Sequence, residues 1–393
     1  MEAPDCAKTI KCPKAVFAVV IALCLCWGCS GLGAMVSSSG ARGERLTLLL
    51  NFETRREQST IARRSTSYRE PQLEQHLERM LACLMPTEAP EAIVPHVVLI
   101  SDSGLNAYSF PDGAIYIHTG LLSHLENEAE LALLLAHELA HVNRRHALRV
   151  LAQSPAETDV TVFDRALSDS LPWFHDMAAP KELAYPSEGL SSLRRSLEQE
   201  ADRVGLDMVI KANYDPYEAL EIFGNLREGD GKGTGEDRAA ALLQALTPID
   251  SVPGRLTDRR VFGKHLQQLL LEQARLELRQ GRWDEALRCA RRLVRDAPTH
   301  ACGYFLLGEI LRQRNEAGDT PQALAHYFRA IVSDPSLPGP HKAIGLIYFK
   351  QGQARLAKSF FENALALAPH SHDKDYIRSY LTQCIINIEG EDL

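Results

Sequence analysis

The residues that first invite a chemical reading are His137, Glu138 and His141, inside the run Leu131 to Val142, LALLLAHELAHV. This run is rich in Leu and Ala, lacks Gly and Pro, and follows Glu126, Glu128 and Glu130, so it reads as a helix starting near Leu125. A helix turns about 100° per residue, which puts His137 and His141 on one stripe, a turn apart, with both imidazoles aimed at a common point. That is half of a zinc site. Beside it, Glu138 is placed to serve a water activated by the ion without itself ligating the ion. The competing reading, polar residues of a surface helix, is weakened by the apolar neighbours Leu133, Leu134, Leu135, Ala136, Leu139, Ala140 and Val142. Imidazole and carboxylate buried among such residues need partners.

A zinc ion with two histidines needs a third protein ligand and one open vertex. A metzincin would carry Gly at 144 and His at 147; the chain has Arg144 and Ala147, which excludes that class. His146 lies five residues past His141, about 140° around the helix, and cannot join the same site. The acidic helical stretch Leu193 to Lys211, LRRSLEQEADRVGLDMVIK, supplies carboxylates. Glu198 and Asp202 are four apart and share a face, while Glu200 lies about 200° from Glu198. One carboxylate to complete the shell, and another a turn along to hold a ligand histidine by its other ring N–H, is what such a site requires. Taken alone, the stretch also reads as a solvated face balanced by Arg194, Arg195 and Arg203.

HELAH followed some sixty residues later by Glu198-x-x-x-Asp202 within EQEADRVG resembles the zinc metallopeptidases of the HtpX and BepA type, the family that includes the CAAX prenyl protease. The upstream run from Asn106 to Gly113, then AIYIHTGLL and LENEAELALLLAHELAHV, is similar to that family's strand, turn, second strand and active helix. The resemblance covers about residues 75 to 260. It implies an α+β zincin-type metalloprotease domain with a small sheet, and one Zn2+ per chain held by His137, His141 and Glu198. It also implies Glu138 as general base and Asp202 behind the ligands. The sequence departs from the family in one place, where a His-Pro pair commonly precedes an Arg by six residues. Arg255 and the Leu-Thr-Asp after it fit the end of that motif, but Ile249 stands at the His position and Pro248 is preceded by Thr247. Arg255 is still a candidate to stabilise an oxyanion through fixed charge and directed donors, with Thr247 or Asp250 as stand-ins for the missing group.

At 393 residues, 45% hydrophobic and 24% charged, the chain has room for two or three domains. Its formal net charge of −8 gives no reason to expect nucleic acid as a partner. Lys8, Lys11 and Lys14, the apolar run Ala15 to Trp27, and Gly28-Cys29 describe a secretory signal over residues 1–28, too short for a membrane span. Gly28-Cys29 resembles the cleavage point of a bacterial lipoprotein, which would leave a lipid anchor on Cys29, although Cys26 and Trp27 are atypical there. Plain secretion and a retained anchor are the alternatives. The expected location is the periplasm or the outer membrane. Cys83, Cys289, Cys302 and Cys384 read as core residues, with a Cys289–Cys302 bridge as the weaker alternative.

Residues 29–69 read as a tether and N-terminal segment, flexible over 30–45 and ambiguous over 46–68. The metallopeptidase domain spans 70–262, with a helix over Glu70 to Met85, strands near Val94 to Ser101 and Ala114 to Thr119, and an extended edge from Asn106 to Phe110. Pro111-Asp112-Gly113 supplies the turn. Zinc peptidases commonly lay a substrate backbone along such an edge, so Asn106, Ala107, Tyr108 and Ser109 are expected to bind substrate. Residues 151–192 are broken by Pro155, Pro172, Pro180 and Pro186 yet carry Trp173, Phe174 and Met177. They read either as a lid, with His175 a visiting ligand, or as short packed helices. A helix from Pro216 to Arg227 and a Gly-rich loop at 229–235 close the domain.

From His265 the periodicity changes. Gly281, Ala286, Ala290 and Pro298 recur as Gly318, Ala323, Tyr327 and Pro335, then as Gly352, Ala357, Phe361 and Pro369, at offsets of 37 and 34. Gly308, Gly345 and Tyr348 fill further positions of the tetratricopeptide (TPR) pattern. Residues 265–390 are therefore expected to form an all-α solenoid of three repeats and a terminal helix, Asp373 to Ile388. Its concave face would grip a peptide or an envelope protein partner, or the array would pack against the protease. The resemblance implies a zinc endopeptidase of the bacterial cell envelope acting on misfolded or unassembled proteins. The alternative is a TPR-based, chaperone-like assembly factor whose protease site is weak or inactive.

Overall fold

The computed structural model describes residues 37–85, 93–153, 188–226, 234–246, 256–257 and 259–391. Met1–Arg45 and Leu46–Leu393 form separate units, the first ending within helix α1 (Ser37–Arg64). The expected tether over 30–45 is thus helical from Ser37. In the second unit come α2 (Pro71–Leu84), then strands β1 (His96–Ile100), β2 (Ala107–Ser109) and β3 (Ala114–His118). Next are α3 (Thr119–Leu122), α4 (Glu128–Asn143), α5 (His146–Gln153) and α6 (Glu188–Lys211). Two short helices, α7 (Pro216–Leu220) and α8 (Ile222–Asn225), replace the single one expected there, and α9 (Thr234–Ala245) follows.

The sheet runs β1-β3-β2, with β1 parallel and β2 antiparallel to β3. Tyr116 in the middle strand faces Val98 on one side and Tyr108 on the other. The β2–β3 hairpin turns through Gly113 at φ +96, where a side chain would be strained and its Cβ would lie 2.8 Å from Ile93. Among the described residues no strand pairs with the far side of β2, so it is an open edge.

Helix α4 begins where local chemistry starts it. The Asn127 side chain accepts from the Glu130 N–H at 2.9 Å, and the Glu130 carboxylate takes the N–H of Glu126 at 2.8 Å and the Asn127 amide at 2.9 Å. This reciprocal cap satisfies donors that the first turn leaves free. Leu131, Leu133, Leu134 and Leu135 are then fully buried, each burial contributing about 2 kcal/mol. Helix α6 packs closely on α4 because Gly205 has no side chain: a Cβ there would stand 3.0 Å from the His137 nitrogen.

After α10 (Arg259–His265) the chain is a ladder of helix pairs: α11 (Gln267–Arg279) with α12 (Trp283–Asp296), α13 (Ala301–Arg314) with α14 (Asp319–Ser333), and α15 (Pro338–Lys350) with α16 (Ala354–Leu367). Helix α17 (Lys374–Glu391) caps the stack. Gly281, Gly318 and Gly352 all sit at positive φ in the turn of a pair, which accounts for their recurrence. Gly308 lets the Tyr327 ring approach its backbone, and Gly345 does the same for Phe361. One apolar core runs from α2 and α4 through Leu269 and Leu293 to Ile347. The first repeat is tied to the α3–α4 corner: Arg288 and Arg292 each donate to the Ser123 carbonyl at 2.8 Å, and Arg295 meets Glu126 at 2.7 Å. Cys83, Cys289, Cys302 and Cys384 are free thiols, so the Cys289–Cys302 alternative is not what forms.

Candidate metal centre

Helices α4 and α6 lie side by side, and the polar residues of their shared face meet at one point. His137 Nε2 and His141 Nε2 are 3.0 Å apart. Glu198 reaches both, with Oε2 3.4 Å from His137 Nε2 and Oε1 3.4 Å from His141 Nε2. One ligand atom from each of these three residues falls within 4.8 Å of the others. Two nitrogens and a carboxylate oxygen so arranged are a donor set suited to zinc, and two imidazole lone pairs facing each other at 3.0 Å call for a cation or proton between them. On its other side His137 donates from Nδ1 to Asp202 Oδ1 at 3.0 Å, which leaves the Nε2 lone pair aimed at the common point.

The charges are consistent with that grouping. Burial works against charge on His137, but its bonds to Asp202 and Glu198 carry it up to about 9. His141, desolvated and next to His137, is held down to about 4. Burial alone would raise Glu198; the His137 bond and the charges of His141, His137 and Arg238 bring it to about 2. Asp202 is likewise driven well below the usual carboxylate range, against its burial, by His137 and Arg238.

A family model described as peptidase family M48 matches residues 67–270, just over half of the chain, and takes in all of these residues. The chain belongs to peptidase family M48. A TPR model matches residues 271–338. An M48 relative, a beta-barrel assembly-enhancing protease of Escherichia coli K12, is 30% identical over 132 residues, 33% of this chain and 27% of that one. The Vibrio cholerae protein described as a putative beta-barrel assembly-enhancing protease is 33% identical over 138 residues, 33% of this chain and 28% of its own length. The mitochondrial metalloendopeptidase OMA1 of Arabidopsis thaliana is 30% identical over 166 residues, 39% of this chain and 32% of the other. The matched segment thus spans about a quarter to a third of these curated relatives.

Two residues beside these ligands lie where the sequence pattern does not place them: Arg238 carries no signal in it, and His146 comes nearer to His141 than the helix period expects. Arg238, on α9, clamps Asp202 through Nε to Oδ2 at 2.8 Å and Nη2 to Oδ1 at 2.5 Å. His146 sits with Nδ1 3.1 Å from His141 Nδ1 and its own Nε2 3.7 Å from Glu200. Its expected direction assumed that α4 continues, whereas the helix stops at Asn143 and Arg145 turns left-handed at φ 53, which re-aims α5. His146 stays outside the cluster of possible ligands. Glu200, on the opposite side of α6 from Glu198, pairs with Arg149 at 2.7 Å.

The centre opens into a cavity of about 470 Å³ whose wall includes Glu138, His141 and Glu198. Ser109 is on that wall and donates from Oγ to the Glu138 carbonyl at 3.2 Å, tying the end of edge strand β2 to the helix. Of the other expected substrate-strand residues, Ala107 is fully buried, Tyr108 stacks on Tyr116, and the Asn106 carbonyl accepts from His118 N at 3.0 Å. Helix α1 also lines the cavity, presenting Thr47, Leu50, Asn51, Thr54 and Arg55 at helical spacing. Arg255, Thr247, Asp250 and the expected lid residues Trp173, Phe174, His175 and Met177 lie outside the described residues.

Proposed function

We propose that the chain is a zinc-dependent endopeptidase that cuts misfolded or unassembled proteins of the bacterial cell envelope, with its repeats as a protein-binding arm. The convergence of His137, His141 and Glu198 beside Glu138 in an open cavity is the observation that carries this reading. His137, His141 and Glu198 are the zinc ligands, and Asp202, clamped by Arg238, fixes the tautomer and direction of His137. Zinc held there supplies Lewis acidity toward a peptide carbonyl and toward water. Glu138 takes the proton of the attacking water and returns it to the leaving amine. Arg255 is assigned to the oxyanion on its sequence position. At the open edge of β2, Tyr108 and Ser109 receive the substrate backbone, with Asn106 beside them, where main-chain bonds accept any side-chain sequence; the fully buried Ala107, expected from the sequence to join them, takes no part.

The relatives named for beta-barrel assembly favour unassembled envelope proteins as substrates, and the leader residues Lys8 to Cys29 favour export with a lipid anchor on Cys29. The repeats are docked on the protease through their first pair, which leaves the later pairs to receive a partner. The Ile249 substitution favours the second reading, an assembly factor with an idle site. Cleavage of casein by the zinc-loaded protein separates the two: Glu138→Gln should abolish it, and a wild type equally inert with zinc bound would favour the assembly factor.

A further inference from the structure

The cavity wall carries charge that the metal centre does not use. Apart from Glu138, His141, His146 and Glu198, its ionisable residues are Arg55, Arg145, Arg194 and Asp112. Three guanidiniums face one carboxylate, on a chain whose formal net charge is −8. That carboxylate is already engaged, accepting from Gln58 Nε2 at 2.9 Å and from the Ala114 N–H at 3.2 Å. Arg194 already has a partner. Among the described residues, Arg55 and Arg145 are exposed and within ion-pair distance of no carboxylate.

Arg145 stands out on a second count. It occupies the left-handed region at φ 53, in the turn that ends α4 and starts α5. Gly or Asn fits that backbone at lower cost, so a long cationic side chain there is an expensive choice for a turn. The turn puts Arg145 in the lining of the cavity together with Arg55 of α1, two residues past the end of the helix that bears Glu138 and His141.

We propose that Arg55 and Arg145 form an acid-selective subsite, so that the cavity prefers peptides with Asp or Glu beside the bond to be cut. The subsite rests on the peptidase reading for its purpose but not for its test. Each exposed ion pair shifts an equilibrium by up to about fivefold, so two together give roughly a three- to twentyfold preference, weakened by salt.

The test uses the full zinc-loaded chain carrying Glu138→Gln, so that peptides bind uncut, and reads fluorescence anisotropy of three labelled peptides alike except for a central block of Glu, Gln or Lys. The Glu peptide should bind tightest and the Lys peptide weakest. Arg55→Gln with Arg145→Gln should level the three, and Arg55→Glu with Arg145→Glu should reverse their order. Equal binding by the parent, binding of none of the three, or an unchanged order in the double Gln variant would overturn the subsite. Arg145→Gly guards against misfolding: it should melt at the parent's temperature or above and still lose part of the preference. Casein cleavage by the wild-type protein is scored separately. A chain that cuts casein but binds the three peptides alike keeps the peptidase and loses the subsite; one that favours the Glu peptide and cuts nothing does the reverse.

Discussion

Substituting Gly205 with Ala probes how the centre is assembled. The added Cβ would lie 3.0 Å from the His137 nitrogen and 3.2 Å from both the Ala136 carbonyl carbon and the His137 Cα. These are backbone atoms in the middle of a buried helix, so neither side can rotate away. Relief requires α4 and α6 to part by about half an ångström to reach ordinary van der Waals separation. Gly205 follows Asp202 by three residues and Glu198 by seven, on the same face of α6, so the displacement is carried to both carboxylates. Metal sites tolerate only about 0.2 Å of error in ligand distance, so zinc affinity should fall by about tenfold or more. Overpacking costs about 1–3 kcal/mol, and replacing Gly by Ala within a helix returns up to about 1 kcal/mol, so the net loss of stability is about 1 kcal/mol. Zinc affinity is therefore the sharper readout, measured by chelator competition alongside thermal melts of the metal-free protein. Gly390→Ala, where a Cβ meets nothing within 4 Å, serves as the control and should leave zinc affinity unchanged. A Gly205→Ala protein with wild-type zinc affinity would refute the reasoning.

Arg238→Met should strand the Asp202 carboxylate, which keeps only His137; breaking such a buried pair costs about 3 kcal/mol, and zinc affinity should drop about 10- to 100-fold, with partial recovery in Arg238→Lys. Equal chelator competition for Arg238→Met and wild type would remove Arg238 from the account. His124, between the peptidase part and the first repeat, is depressed to about 4, chiefly by burial and then by Arg288. A histidine held neutral in the fold contributes stability that is complete above its unfolded pKa of about 6.5 and is lost as pH falls through about 4, up to about 3 kcal/mol. Urea melts from pH 7 to pH 4 should show that loss shrinking in His124→Gln; parallel pH profiles for the two proteins would contradict it.

How much of this was legible in the sequence depended on whether a contact follows helix geometry. His137, His141, Glu198 and Asp202 are spaced by four residues within two helices, and that period alone puts each pair on one face. The repeats were legible because Gly308 and Gly345 stand opposite Tyr327 and Phe361 wherever such helix pairs pack, and because the turn glycines need positive φ. Arg238 left no such trace, since a single Arg on a separate helix reaches Asp202 only through tertiary packing. His146 lies outside the ligand cluster, as the helix period expects, but its closeness to His141 was not legible, because α4 stops at Asn143 and nothing in Arg144-Arg145 signals a left-handed turn as a Gly would. Helix α1 was obscured by its Ser- and Gly-rich start, although Leu46 and Leu50 pack against Phe110 and Tyr116 and so make it a wall of the cavity.

The central claim is that His137, His141 and Glu198 bind one zinc ion beside Glu138. Diffraction from zinc-loaded crystals, collected on both sides of the zinc absorption edge, tests it most directly. One anomalous peak per chain, enclosed by the two Nε2 atoms and the Glu198 carboxylate and missing in Glu198→Ala, is the predicted result. A peak elsewhere, or one that persists at full strength without the Glu198 carboxylate, would contradict it.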